Sequence, residues 1–440
     1  MNTSNNRPFF TGAPGPLAVP VSPYPPPGSP STVIEVRPAG YMGLGVFATQ
    51  NILKGTRIID EPPVFTFHSH LCEDDEYGGG ISGYASDDSD ESMLDEGVSM
   101  RNDNDQENFT DQGQEEMDND EDMNDDDEEN DDEEEEDAYK GSPLPATVFR
   151  FCDELLLQGL LDGKLSAMED LSYSQAMYEN ERIRELIRRF FHERVYPSQP
   201  NCSPLSSEEL ESKVQQFARL YAIRMRCQYS PHTTEHPGSP EGIYALQARI
   251  NHSCMPNAWH DLNGATGRMT VHAVRDIRAG EQIFVAYGEY LRRTIAERNA
   301  ELLQMDEIQG CMCAMCLNPY TDELQAQVYR LFWGAFYFLY PDARDVLTET
   351  MDVRAAADAA EALRMAQAAV EVLKNPLMDA ETKVLADTYR MCCFLCQKLQ
   401  QPGQAMVYAG LETSLQLIIR GVDNPNFQEA DARFRDLQRL

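Results

Sequence analysis

One tract constrains this fold more than any other, because it cannot join a core. Between Glu73 and Asp137 stand 32 Asp or Glu residues against one basic residue, Arg101. Such a run repels itself and has too few apolar residues to offset the entropy of ordering, so it is expected to be disordered. Closing a loop of that length costs only about 2 kcal/mol more than closing a short turn. The tract can therefore interrupt one domain rather than separate two. It also accounts for most of the charge. The 440-residue chain carries a formal −38, of which the tract holds −31, leaving −7 for everything else. The body is only mildly acidic, and no direct nucleic-acid binding is expected of it.

The flanks are easier to read. Residues 1–31 are rich in Pro, Ser and Asn, with Pro25-Pro26-Pro27 near their end, and predict a disordered tail without the layout of a signal peptide. No apolar run is long enough to span a bilayer, so no membrane partner is expected. The 11 cysteines fit a reducing compartment, nucleus or cytoplasm, where clustered thiols more often mean metal than disulfide. From Val33 the pattern becomes strand-like: Val33–Val36, Val46–Ala48 and Arg57–Ile59 alternate around a turn carrying Gly43 and Gly45. That Gly-x-Gly allows close approach to the backbone but is no dinucleotide fingerprint, since no helix follows it.

Beyond the tract the spacing turns helical. Leu155-Leu156, Leu160-Leu161, Ile183, Leu186-Ile187 and Phe190-Phe191 recur at helical intervals. Ser206 to Glu209 reads as a helix start before the stripe Leu210, Val214, Phe217 and Leu220. Strand-like runs return at Ile243–Leu246, Ala258–Leu262, Met269–His272 and Gln282–Val285. After Asn318 everything is helix-patterned, with predicted helices over Asp352–Leu373, Ala380–Leu399 and Gln404–Ile419. Stacked helical hairpins of tetratricopeptide type suit this stretch, although no clean repeat motif is present.

Two groups of residues bear chemistry. Arg249-Ile250-Asn251-His252-Ser253-Cys254-Met255-Pro256-Asn257 packs amides, an imidazole, a hydroxyl and a thiol into one turn-prone run between strand-like segments. Cys311-x-Cys313-x2-Cys316 supplies three thiols close together, an incomplete tetrahedral zinc site that wants a fourth soft ligand. Cys254 is the candidate for that place; three reduced thiols without metal are the alternative. Cys392, Cys393 and Cys396 lie in an apolar helical stretch and read as core thiols.

Taken together these blocks resemble the SET-domain lysine methyltransferases. The likeness covers Gly43-Leu44-Gly45-Val46-Phe47, the Asn251-His252-Ser253-Cys254-x-Pro-Asn block, and Gly280 to Cys316 with Tyr287 and the cysteine triplet. The helical C-terminus makes the chain similar to the SET-and-MYND group, of the fungal single-SET type without a MYND finger. The resemblance implies an α+β fold: short strands with a helical insertion, a post-SET zinc loop and an all-α C-terminal domain. It implies S-adenosylmethionine as methyl donor, with Gly43, Leu44, Gly45, Asn251, His252 and Tyr287 at the cofactor. Tyr287 would be the catalytic tyrosine, and Cys254, Cys311, Cys313 and Cys316 the zinc ligands. Phe284 and Tyr290 are candidates for the lysine channel. The acceptor would be a lysine on a protein, a histone among the candidates, and the acidic tract would recruit basic partners.

The implied layout is a tail over 1–31, SET segments over 32–72 and 241–292, and an acidic insert over 73–142. A helical insertion over 143–240, a zinc segment over 293–318 and a helical domain over 319–440 complete it. Three places depart from the family pattern. Met42 stands where a basic residue is usual, Gln309 where an aromatic is usual, and Ala222-Ile223-Arg224 where a Thr-Asn-Ala-like stretch is usual. They keep a second reading open: a SET fold that binds without turnover.

Overall fold

A computed structural model describes residues 33–67, 143–158, 168, 171–196, 205–229, 241–287, 294–306, 310–341, 353–378 and 382–440. The acidic tract, the Pro-rich tail, Tyr290 and Gln309 lie outside the described residues, so the expectations for them are neither met nor corrected.

Strands β1 (Ile34–Pro38) and β2 (Leu44–Ala48) form an antiparallel pair around the 3₁₀ turn Gly40–Met42. Strand β3 (Arg57–Glu61) and β4 (Phe65–Phe67) follow. The helical insertion begins with α1 (Pro143–Leu157), the short α2 (Gln175–Tyr178) and α3 (Glu181–Phe190), which runs on into a π turn, Phe191–Val195. Its longest helix, α4 (Ser207–Cys227), starts on the expected signal. Ser206 accepts from Glu209 N while the Glu209 carboxylate accepts from Ser206 N, a reciprocal capping box. The apolar stripes meet as predicted from their spacing: Leu155, Leu186, Phe190, Phe217 and Leu220 share one core, which Phe151, Tyr221, Phe65 and Ile243 join.

After α4 come β5 (Gln228–Tyr229), β6 (Glu241–Ile243), β7 (Asn251–His252), β8 (Ala258–Asn263), β9 (Arg268–Ala273) and β10 (Phe284–Val285). The pairings cross the long insertion. Phe65 faces Ile243 as β4 joins β6 and β5, and β3 joins β9 and β8 in the order β3-β9-β8. A parallel pair, β10 with β7, sets Phe284 opposite Asn251 and Val285 opposite His252. Val46, Ile58, Ile59, Ile250, Val271, Ile283 and Val285 fill the core between these sheets.

Two strand expectations change. The run Ile243–Leu246 is strand only to Ile243, and Gln247–Arg249 is a 3₁₀ turn. The cause is Glu61, whose carboxylate accepts from Leu246 N at 3.0 Å and Gln247 N at 2.7 Å. That capture satisfies the amides that open the turn. Burial pushes the Glu61 carboxyl above its ordinary range, and the two N–H groups pull it back. Asn251 and His252, expected on a loop, are strand, because the backbone of Phe284 and Val285 pairs with them.

The remainder is helical: α5 (Ile295–Asp306), α6 (Tyr320–Leu339), α7 (Ala359–Leu373), α8 (Thr382–Lys398), α9 (Pro402–Arg420) and α10 (Pro425–Gln438). From α6 onward each helix packs on the next, giving the all-α C-terminal region expected of this α+β chain. Helix α7 starts at Ala359 rather than near residue 352. Asp358 caps it by accepting from Glu361 N, and Ala356 N is already bonded to Gly334 O on α6. Cys392, Cys393 and Cys396 are buried in the helical core, as their apolar neighbours implied.

Candidate functional site

The sequence-predicted residues converge where two chain segments interlock. Asn257 is fully buried and works as the tie: its Nδ2 donates to Gln282 O at 2.8 Å, and its Oδ1 accepts from Phe284 N at 2.7 Å. Ser253 N donates to Val285 O at 3.0 Å and Ile283 N to Val46 O at 2.8 Å. The run 251–257 is thus threaded against 282–287, and both sit on β2.

On this frame Asn251 Nδ2 donates to Leu44 O at 3.0 Å. The Asn-His block and the Gly-x-Gly turn, more than two hundred residues apart, meet through that bond. Gly45 is closely packed here. A Cβ on it would lie 2.6 Å from Gln282 Nε2 and 3.0 Å from Asn251 Nδ2. Gly43 is different, with φ +74° and open space where its Cβ would be. Its backbone is exposed and needs a left-handed conformation that other residues adopt at a cost. The Leu44 and Tyr41 side chains face solvent beside it.

His252 is engaged through both ring nitrogens. Nδ1 accepts from Tyr287 N at 3.0 Å, so the proton of the neutral ring sits on Nε2, 3.2 Å from Cys254 Sγ. The ring also lies against that of Tyr287, with centroids 5.3 Å apart. The Tyr287 hydroxyl donates to Ile250 O at 2.6 Å. Leu44, Asn251, His252 and Tyr287 therefore form one continuous chain of contacts, and Phe284 is half-buried on the same strand pair.

The next link is the cysteines. The sulfurs of Cys254, Cys311, Cys313 and Cys316 all lie within 4.8 Å of one another, the only such His, Cys or carboxylate group among the described residues. Cys316 and Cys254 are 3.5 Å apart. A tetrahedral zinc ion with bonds of about 2.3 Å would hold its sulfurs about 3.8 Å apart, so this set fits the metal. The crowding splits the thiols electrostatically. Hydrogen bonding to Cys254 first, then to Cys313 and Cys316, drives Cys311 far below the ordinary thiol range, while the same bond to Cys311 drives Cys254 up. Cys313 is pulled down to about 6, chiefly by Cys254. Around the cluster, Asn299 Oδ1 accepts from Cys311 N at 3.0 Å, and Arg298 Nη2 reaches Cys316 Sγ at 3.6 Å.

Four participants were not evident in the sequence. Gln282, Arg298 and Asn299 lie inside the Gly280–Cys316 block and Glu61 ends β3, yet only their neighbours in space give them a role. Asn257 was visible as the end of its motif, but not as the tie between segments.

The family model described as SET domain matches residues 43–288, more than half of the chain. This chain belongs to the SET-domain family. The match begins at the Gly43 turn and runs just past Tyr287, so it takes in both interlocked segments. Over 75 residues the chain is 41% identical to "Histone-lysine N-methyltransferase set5" of Schizosaccharomyces pombe, covering 17% of this chain and 23% of that protein. Over 82 residues it is 32% identical to "Protein-lysine N-trimethyltransferase SMYD5" of Gallus gallus, 18% of this chain and 20% of that one. A longer stretch of 177 residues is 25% identical to "N-lysine methyltransferase SMYD2-A" of Xenopus laevis, 39% of this chain and 40% of the relative. The chain thus spans between about a fifth and two fifths of the length of these relatives. Among solved structures, the SET domain of LSMT bound to lysine and AdoHcy aligns at 12% identity over 94% of this chain and 89% of that one. Its TM-score is 0.30, too low to argue from.

Proposed function

We propose that this protein is an S-adenosylmethionine-dependent protein-lysine N-methyltransferase. The observation that carries this reading is the contact chain from the Gly43–Gly45 turn through Asn251 and His252 to Tyr287. The names of the relatives, histone-lysine and protein-lysine methyltransferases, support the class of substrate.

The residues present suit the cofactor. Gly43 leaves room against the backbone, and Gln282 Nε2 is buried beside Gly45 with no hydrogen-bond partner, a donor awaiting an acceptor. The turn Gly43–Gly45, Asn251, His252 and Tyr287 would hold it, His252 through its backbone because its ring nitrogens are engaged elsewhere. Bound there, S-adenosylmethionine supplies a methyl group on a cationic sulfonium, open to displacement by an amine. The chain's own work is alignment and electrostatics. Ile250 O and the His252 ring hold Tyr287 in one orientation at the reacting centre. The attacking lysine must be neutral, and apolar walls such as Phe284 lower an ammonium pKa by desolvation. Zinc held by Cys254, Cys311, Cys313 and Cys316 would fix the segment after the SET strands to the loop that carries Asn251.

The finer assignments belong to the same reading. The substrate is a lysine on a histone or another protein, and the acidic tract recruits that basic partner by charge. The compartment is nucleus, cytoplasm or both; among the described residues no helix is long and apolar enough to cross a membrane. The seven-part layout given above, from the 1–31 tail to the 319–440 helical domain, is the domain organisation we propose. A second reading, binding without turnover, is favoured by Met42, which offers no cation at the turn.

Labelled S-adenosylmethionine tests the first reading directly. The protein should transfer methyl to a protein lysine, and Tyr287→Phe should lower the rate about 10²-fold, the scale for one electrostatic contact at a reacting centre. Saturation at a hundredfold excess over Kd should also add about 2.7 kcal/mol of stability. Cofactor binding without transfer would favour the second reading, and no binding at millimolar cofactor would end the first.

A further inference from the structure

Two side-chain amides converge on one point beside the Gly43–Gly45 turn. That point is where a Cβ on Gly45 would lie, 2.6 Å from Gln282 Nε2 and 3.0 Å from Asn251 Nδ2. Asn251 commits its nitrogen to Leu44 O. Gln282 Nε2 is buried without an acceptor, and among the described residues nothing hydrogen-bonds to the rest of its amide. Asn257, the structural amide of this site, uses both of its ends; Gln282 uses neither. The backbone under Gln282 is nonetheless pinned, because its O accepts from Asn257 Nδ2 at 2.8 Å and the residue bridges to Phe47 of β2. A half-buried side chain on a fixed backbone, with an amide that nothing holds, can turn towards a ligand without breaking a bond. Without a ligand its N–H groups stay unsatisfied, which is costly in a buried place.

The turn itself brings no cation to an anionic ligand group. Met42 is neutral, and Tyr41 and Leu44 expose apolar surface. Arg37, opposite Gly45 on β1, is committed elsewhere: its guanidinium lies over the Phe47 ring, pairs with Glu35 and donates to Gly280 O. S-adenosylmethionine carries one carboxylate, its strongest hydrogen-bond acceptor. We propose that Gln282 is the residue that reads this carboxylate, donating to it through Nε2 where a cation is lacking. The proposal rests on the cofactor reading given above and names the side chain that recognises the amino-acid end of that cofactor.

The test uses the full-length protein, with Gln282→Met and Gln282→Glu, and reads binding by calorimetry. The two probes are S-adenosylhomocysteine and its decarboxylated analogue, which keeps the adenosine, the thioether and the ammonium. Gln282→Met should weaken S-adenosylhomocysteine about 10- to 100-fold, the scale of one hydrogen bond to a charged acceptor. The decarboxylated probe should bind this variant and the wild type equally. Without ligand, the thermal midpoint of Gln282→Met should equal or exceed that of the wild type, because an unsatisfied donor has been replaced by an apolar group of like shape. Wild-type affinity for S-adenosylhomocysteine in Gln282→Met overturns the proposal. Equal losses for both probes overturn it too, since the amide would then touch another part of the cofactor or only shape the pocket. If Gln282→Met does not fold, Gln282→Glu decides alone: a loss confined to the carboxylate-bearing probe supports the proposal, and any other pattern overturns it. A wild type that binds neither probe removes the cofactor reading and this proposal with it.

Discussion

At the scale of single residues the site is governed by what cannot be moved. Gly45 has two side-chain amides within 3.0 Å of the place where a Cβ would go. Both belong to flexible side chains, so Gly45→Ala should fold with stability close to wild type while pushing Asn251 off Leu44 O. The expected loss is about tenfold in cofactor affinity, equal to about 1.4 kcal/mol. Unchanged affinity by calorimetry would show that this bond does not set the cofactor site. Asn257 behaves in the opposite way. It is buried and bonded to Gln282 O and Phe284 N, and Asn257→Ala would leave both without a partner. At about 1–3 kcal/mol for each orphaned group, the variant should lose several kcal/mol in denaturant unfolding. A loss under 1 kcal/mol would mean that water replaces the amide.

At the scale of elements the notable joint is the end of α9 against β3, β8 and β9. Arg420 and Asp261, both buried, pair at 2.5 Å, and Arg57 binds Asp423 just beyond the helix. Gly421 turns the chain there with φ +79°, and a Cβ on it would press on Arg57 and His272. Removing one partner of a buried pair costs about 3–5 kcal/mol, whereas an apolar pair of like size is often neutral. Arg420→Met should therefore destabilise strongly, and adding Asp261→Leu should recover much of the loss in thermal unfolding. The same joint has a pH signature. Burial first, then Arg57, pushes His272 down to about 3, against the weaker pull of Asp423 and Asp261. The folded state therefore binds fewer protons than the unfolded chain below the ordinary histidine value. Stability from His272 is complete above about pH 6.5 and is lost as pH falls towards 3, by at most about 1.4 kcal/mol per unit. His272→Gln should flatten that acid limb by about one proton; equal slopes in the two proteins would show that His272 is not its source.

At the scale of the whole molecule, strands before and after the acidic tract pair with each other. Phe65 meets Ile243 and Asp60 meets Thr270, so the SET sheets close across the insertion. Replacing residues 73–137 with a short Gly-Ser linker shortens that loop. Loop-closure entropy then favours the folded state by up to about 2 kcal/mol. The expected result is a thermal midpoint unchanged or slightly raised, with transfer to a basic peptide weakened if the tract recruits it. A large fall in midpoint would mean that the tract packs on the fold.

Local chemistry and covalent spacing were legible in the chain. The helical stripes, the Ser206 capping box, the C-x-C-x2-C triplet and the Asn-His-Ser-Cys block all depend on residues within about two turns of each other, and such patterns survive without tertiary context. They sufficed for the α+β class, the helical C-terminus and the family. Long-range pairing decided the rest. Strand Asn251–His252 exists because Phe284 and Val285 lie beside it, and the 3₁₀ turn after Ile243 exists because Glu61 captures its amides. Cys254 joins Cys311, Cys313 and Cys316 because the threaded loop brings it there. His252 binds inward through both ring nitrogens, and Arg298 turns a charge towards the sulfurs, for the same reason. A side chain's hydrogen-bond and charge partners are set by what the fold packs against it, and no local spacing in the sequence encodes them.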